Sequence, residues 1–188
     1  MKKKIAIQLA DGFEEIEAIS IIDVLRRAEI DVVVVSVTGK LEVEGVHHVK
    51  VLADTLFEKV DYYDLYMIVL PGGMPGAANL DAHAGLRNQI QQFDLQNRPL
   101  AAICAAPMVL GNLGILKGKQ AVCYPGFEKY LKGAEVLMIP VVESGNVITG
   151  RGIGAALEFA LAIVQKAVSA EKAKLIGQQI LFDYKVFA

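Results

Sequence analysis

Asp31-Val32-Val33-Val34-Val35-Ser36-Val37 is all but unbroken valine. A strand with one wet face alternates apolar and polar residues. A continuous β-branched run is buried on both faces, the mark of a parallel sheet covered by helices. The pattern extends outward from this run. Upstream, Lys3–Ala10 is a strand candidate and Glu14–Ala28 a helix, with Ala18, Ile21, Ile22, Leu25 and Ala28 spaced at three and four along one face. Downstream, Leu41–Val43 and Val46–Leu52 form a short hairpin. Tyr66–Leu70 is a third core strand, and Ala82–Gln96 reads as a helix. Leu100–Ile103 is a short buried strand and Ala105–Leu113 the helix after it. Gly145–Thr149 is the last strand, with helices Gly154–Ala167 and Ala170–Leu181 behind it. Strands alternating with helices specify an α/β fold: a doubly wound, mostly parallel sheet with helices on both faces.

Composition agrees with that class. The chain has 188 residues, 54% of them hydrophobic, which suits a single domain, 1–188, rather than two. Such a length buries roughly 70% of the surface its unfolded chain exposes. With 19 Lys and Arg against 21 Asp and Glu, the net charge of −2 leaves no basic footprint for nucleic acid. The longest apolar runs, Val32–Val35 and Met67–Leu70, fall far short of the ~20 residues of a membrane span. Met1-Lys2-Lys3-Lys4 resembles the start of a signal peptide, but the apolar stretch after it contains Gln8 and stops at Asp11. Two cysteines without a CxxC pair point to a reducing, cytoplasmic setting. Three histidines without ligand spacing give no zinc site, and no motif calls for a cofactor.

In doubly wound sheets, ligands sit outside the carboxyl ends of the strands. Cys104 falls at such an end, in Ala101-Ala102-Ile103-Cys104-Ala105-Ala106-Pro107. Small residues two positions either side, Ala102 and Ala106, suit the sharp turn of a nucleophile elbow. The helix N-terminus behind it favours thiolate over thiol. Glu17 follows the first strand, on the edge of the buried face of the helix Glu14–Ala28. One reading makes it a buried, protonated carboxyl that donates a hydrogen bond; the other makes it an acid suited to the helix N-terminus, as Glu14 and Glu15 are. Pro71-Gly72-Gly73-Met74 follows the third strand, where paired glycines allow close backbone approach and a free N–H for an oxyanion. Gly150-Arg151-Gly152-Ile153-Gly154 lacks the spacing of a dinucleotide fingerprint. It reads as a tight lead into a helix, with Arg151 available to an anion or an acid. Cys123 reads as a core residue, and His47, His48 and His83 as surface residues.

Four motifs in this order are similar to the ThiJ/PfpI superfamily, a flavodoxin-like group. They are Asp11-Gly12-Phe13-Glu14-Glu15-Ile16-Glu17, Val69-Leu70-Pro71-Gly72-Gly73, Ala101 to Pro107, and Thr149-Gly150-Arg151-Gly152 leading to Glu158–Val164. The chain most resembles the branch of the parkinsonism-associated protein deglycase and its bacterial relatives. The resemblance implies Cys104 as elbow nucleophile, Glu17 as its protonated partner, and the Gly73 and Ala105 amides as oxyanion donors. It implies a homodimer with cofactor-free conversion of methylglyoxal and glyoxal to hydroxy acids, and repair of glyoxal-modified amines and thiols. The alternative it implies is an oxidative-stress sensor or chaperone-like protein whose cysteine becomes a sulfinate. Two positions depart from relatives. The protease-like branch has histidine directly after its cysteine, where this chain has Ala105, which argues against peptide hydrolysis. Many members of the deglycase branch have histidine in the segment of Tyr124; a tyrosine with a pKa of ~10 is a poor base at pH 7. His47 matches a segment used near the dimer contact, where it would approach a neighbouring site.

Overall fold

The valine run is an inner strand of a seven-stranded sheet. The computed structural model describes residues 3–183; Met1 and Lys2, the start of the basic N-terminal segment, lie outside the described residues. In chain order come β1 (Lys4–Leu9), α1 (Glu15–Arg27), β2 (Asp31–Ser36), the hairpin β3 (Glu42–Glu44) and β4 (Lys50–Leu52), and β5 (Thr55–Leu56). Next are β6 (Met67–Leu70), α2 (Gly76–Ala82), α3 (Ala84–Leu95), β7 (Leu100–Ile103) and α4 (Pro107–Asn112). Then β8 (Gln120–Ala121) and β9 (Glu135–Val136) pair as a small separate ladder. The order closes with β10 (Val141–Ser144), β11 (Val147–Gly150), α5 (Ala156–Ala167) and α6 (Ala170–Gln179).

The main sheet runs β10-β11-β7-β6-β1-β2-β5, parallel throughout except for β10 against β11. Strand order reverses direction between β1 and β6, so the crevice that such folds use for ligands opens there. Alternate strand residues feed two cores. Ile5, Ile7, Met67, Val69 and Ala101 pack with α1, α5 and α6, while Ala6, Ile68, Leu70, Leu100 and Ala102 pack with α2, α3 and α4.

The departures from the expected elements have local causes. The helix expected over Ala82–Gln96 is α3, Ala84–Leu95, and a further helix that was not expected, α2, runs into it. His83 adopts an extended conformation between them, and its Nδ1 accepts the Leu86 N–H at 3.0 Å, capping α3. His83 is therefore a cap as well as a surface residue. The helix expected from Ala105 starts at Pro107, because residues 104–106 form the turn. The last expected strand begins at Val147 instead of Gly145. Gly145, with φ +64°, turns a hairpin whose first strand, β10, was not expected.

Candidate active site

Cys104 sits one residue beyond β7 with φ +65°, a left-handed conformation in which a side-chain-bearing residue is strained. Its N–H donates to Gly150 O at 2.9 Å, and its carbonyl accepts from Tyr124 N–H at 2.8 Å. These bonds, with the buried methyls of Ala102, Ala105 and Ala106 around it, hold the turn. Pro107 then opens α4. This is the geometry of a nucleophile elbow.

Glu17 lies in the first turn of α1 and is wholly buried. Of the two readings its sequence left open, the buried carboxyl is the one found. Glu14 caps the helix, its Oε2 accepting the Glu17 N–H at 2.7 Å. Glu17 Oε2 accepts the Gly72 N–H at 2.9 Å. Glu17 Oε1 is buried without a partner of good hydrogen-bond geometry, and the Cys104 thiol is the side chain with which the carboxyl interacts. An ionised carboxylate accepts from the thiol, and a neutral carboxyl has one proton to offer the sulfur. Burial pushes Glu17 up to about 7, and the charge of Glu14 adds to the rise against the Gly72 amide and the thiol.

The thiol departs from the sequence expectation of a favoured thiolate. Burial, the charge of Glu17 and the hydrogen bond to it push Cys104 up to about 12, while the Gly73 and Ala105 amides pull the other way. The short α4 does not outweigh desolvation and a facing carboxylate. Two of those upward causes come from ionised Glu17 and disappear when it is protonated. Cys104 and Glu17 are therefore a coupled pair: once the first proton is lost they share one negative charge, as thiol facing carboxylate or thiolate facing neutral carboxyl.

Both glycines of the β6 turn are required by close packing. A Cβ on Gly72 would lie 2.5 Å from Cys104 Cβ and 2.7 Å from Glu17 Oε2. Gly73 has φ +91°, and a Cβ there would overlap the Glu14 amide. Gly73 and Ala105 thus present N–H groups from two loops to one sulfur.

Tyr124 is half exposed and tied to the elbow through its backbone. Sequence reasoning missed Gly152: a Cβ there would lie 3.4 Å from Tyr124 Cδ2 and 3.9 Å from Cys104 Sγ, so this glycine floors the space between them. Its signal was its place just beyond a core strand. Arg151 lines a pocket of about 360 Å³ with Tyr124 and Gly152. Cys123 is buried in the core on the opposite face of the sheet from Cys104, and burial and the charge of Glu128 push its thiol up to about 11. Glu15 is held by the hairpin: its Oε1 accepts the His47 N–H at 2.6 Å, and its Oε2 lies 3.0 Å from His47 Nδ1. Glu14, Glu15 and His47 bring donor atoms within 4.8 Å of one another, the one cluster of metal-ligand type among the described residues. Both Glu15 oxygens are already engaged by His47, so the cluster is accounted for as the joint between hairpin and helix. Among the described residues, no helix is long and apolar enough to cross a membrane.

Residues 3–166 match the DJ-1/PfpI family. The chain belongs to that family. It is 40% identical over 179 residues to Protein DJ-1 homolog B of Arabidopsis thaliana, covering 95% of this chain and 41% of the plant protein. The chain thus spans less than half the length of that relative. Protein dj-1beta of Drosophila melanogaster is 36% identical over 186 residues, covering 98% of this chain and all of the fly protein. A Bacillus subtilis relative, 34% identical over 154 residues, covers 80% of this chain and 90% of its own, and is named a putative cysteine protease, YraA. Among solved structures, oxidized Toxoplasma gondii DJ-1 superposes with a TM-score of 0.93 at 38% identity, covering 97% of this chain and all of the other. The DJ-1/PfpI fold is thus the one read from the strand pattern.

Proposed function

We propose that this DJ-1/PfpI protein is a cofactor-independent glyoxalase and protein deglycase acting on methylglyoxal, glyoxal and their adducts with amines and thiols. The observation that carries the reading is the pairing of Cys104 with a buried carboxyl near neutrality, beneath two amides from separate loops. As sulfur bonds the aldehyde carbon, the thiol proton passes to Glu17, and the carbonyl oxygen becomes an alkoxide held by the Gly73 and Ala105 amides. That oxygen takes the proton, giving a neutral hemithioacetal. Glu17, again a carboxylate, removes the proton on the former aldehyde carbon and returns it to the neighbouring ketone carbon through an enediol, while the hydroxyl proton of the hemithioacetal passes to the former ketone oxygen. The product is a 2-hydroxy thioester on Cys104. Water cleaves it to a 2-hydroxy acid and the free thiol, so the carbon skeleton gains one water and no external oxidant takes part.

The name of the Bacillus relative suggests peptide hydrolysis. Ala105 follows the nucleophile here, and its methyl cannot serve as the base, which supports aldehyde chemistry. We place the protein in the cytoplasm as a homodimer, with exposed Ile16 and Ile19 of α1 available to a second copy. Conversion of methylglyoxal to lactate without glutathione tests the activity. Turnover that vanishes in Cys104→Ser and falls at least a hundredfold in Glu17→Gln is expected; turnover surviving Cys104→Ser refutes it. One observation favours a second reading, an oxidative-stress sensor: the Toxoplasma structure is of an oxidized protein, and a neutral Glu17 with two amides would also hold a sulfinate. Under that reading peroxide adds oxygen to Cys104 before Cys123, and methylglyoxal is not turned over.

A further inference from the structure

The pocket beside Cys104 is larger and more apolar than a two- or three-carbon aldehyde requires. Its volume of about 360 Å³ lies within the range of small-molecule sites. Tyr124, Pro125, Pro140, Ile153 and Ala155 supply most of its wall, and Gly152 joins it to the sulfur. Tyr124 and Ile153 are each about half exposed, so their apolar surfaces are open to a ligand. The charged lining residues, Arg151 and Glu158, are of opposite sign and give the pocket no net preference for an anion.

We infer that this pocket receives the non-reacting substituent of the substrate, and that the preferred substrates are 2-oxoaldehydes carrying an apolar, ring-sized group. The inference rests on the glyoxalase reading for its reaction and on the pocket for its specificity. With the aldehyde carbon at Sγ, a substituent passing over Gly152 lies between the Tyr124 ring and Ile153. A methyl group leaves that wall in water; an aryl group covers it. One methylene in such a pocket changes kcat/KM by about 10–200-fold, so a phenyl ring in place of methyl is expected to raise it at least tenfold.

The test compares kcat/KM for phenylglyoxal and methylglyoxal in the wild type and in Ile153→Ser. The expected result is at least a tenfold preference for phenylglyoxal, with the ratio falling about tenfold in the variant. Equal or poorer use of phenylglyoxal, with methylglyoxal turnover intact, overturns the inference and leaves the glyoxalase reading standing. A second measurement reads the pocket without turnover. Cys104 alkylation by phenacyl bromide is compared with bromoacetone, each rate divided by that of a free thiol. The sulfur–carbon bond forms as bromide leaves, and the thiol proton goes to buffer. Selectivity for the phenacyl reagent, lost in Ile153→Ser, supports the pocket even if neither aldehyde is turned over, the outcome that refutes the glyoxalase reading alone. No selectivity in alkylation overturns the pocket assignment.

Discussion

Glu17 should make this fold less stable as pH rises through neutrality, and replacing it with Gln should remove that dependence. The carboxyl is wholly buried and is raised from its ordinary 4.5 to about 7. Between those values the folded chain binds more protons at this site than the unfolded chain, so stability falls as pH increases. Each tenfold change in proton affinity is ~1.4 kcal/mol, so holding an ionised Glu17 in the fold at pH 8 costs roughly 3 kcal/mol relative to acid conditions. Gln keeps an oxygen for the Gly72 N–H at 2.9 Å but carries no charge. Because the Cys104 thiol is coupled to Glu17, the comparison belongs in a Cys104→Ser background. Urea unfolding of Cys104→Ser and of Cys104→Ser/Glu17→Gln at pH 5 and pH 8 supplies the numbers. The single variant is expected to lose about 2–3 kcal/mol relative to the double variant across that interval. Parallel losses in the two proteins would show that Glu17 is ionised at both pH values and would refute the raised carboxyl.

Three further outcomes are expected. Removing the Glu17 charge removes two of the causes that hold the thiol near 12, so iodoacetamide alkylation of Cys104 in Glu17→Gln should titrate at lower pH than that value; an unchanged midpoint contradicts the coupling. Gly72→Ala drives a methyl into Cys104 Cβ and Glu17 Oε2; it should cost about 1–3 kcal/mol by denaturant titration and abolish methylglyoxal turnover. His83→Ala strips the cap from α3; a loss of about 0.5–2 kcal/mol is expected, with turnover per folded molecule preserved.

The sheet was legible because its central strands are short, apolar and bounded by turn residues. Leu100–Ile103 is buried along its whole length, which leaves no polar alternation to misread, and Asp31–Ser36 is buried from Val34 onward, with Asp31 exposed and Val32 and Val33 half-buried at its start. Cys104 was legible from its place at a strand end between small residues. The signals failed where structure depends on partners distant in sequence. Gly76–Ala82 has no amphipathic period to announce a helix and is held from outside, with Gly76 N–H bonded to Gly12 O and Ala77 and Leu80 buried. β10 exists through its antiparallel ladder with β11. The state of the thiol was misjudged for the same reason: the helix behind Cys104 is visible in the sequence, while the carboxyl facing it comes from the first turn of α1, far away along the chain. Gly152 reads as one more turn glycine until the elbow and Tyr124 are folded around it.

Covalent passage of the substrate through Cys104 is tested by capturing its thioester. Wild-type protein is mixed with excess methylglyoxal, quenched in acid within the first turnover and treated with hydroxylamine. A thioester on Cys104 yields lactohydroxamate and the free thiol, whereas a hemithioacetal does not. A burst of lactohydroxamate approaching one equivalent per chain is expected, absent from Cys104→Ser and sharply reduced in Glu17→Gln. Lactate formed at the wild-type rate with no lactohydroxamate at any quench time would contradict covalent passage.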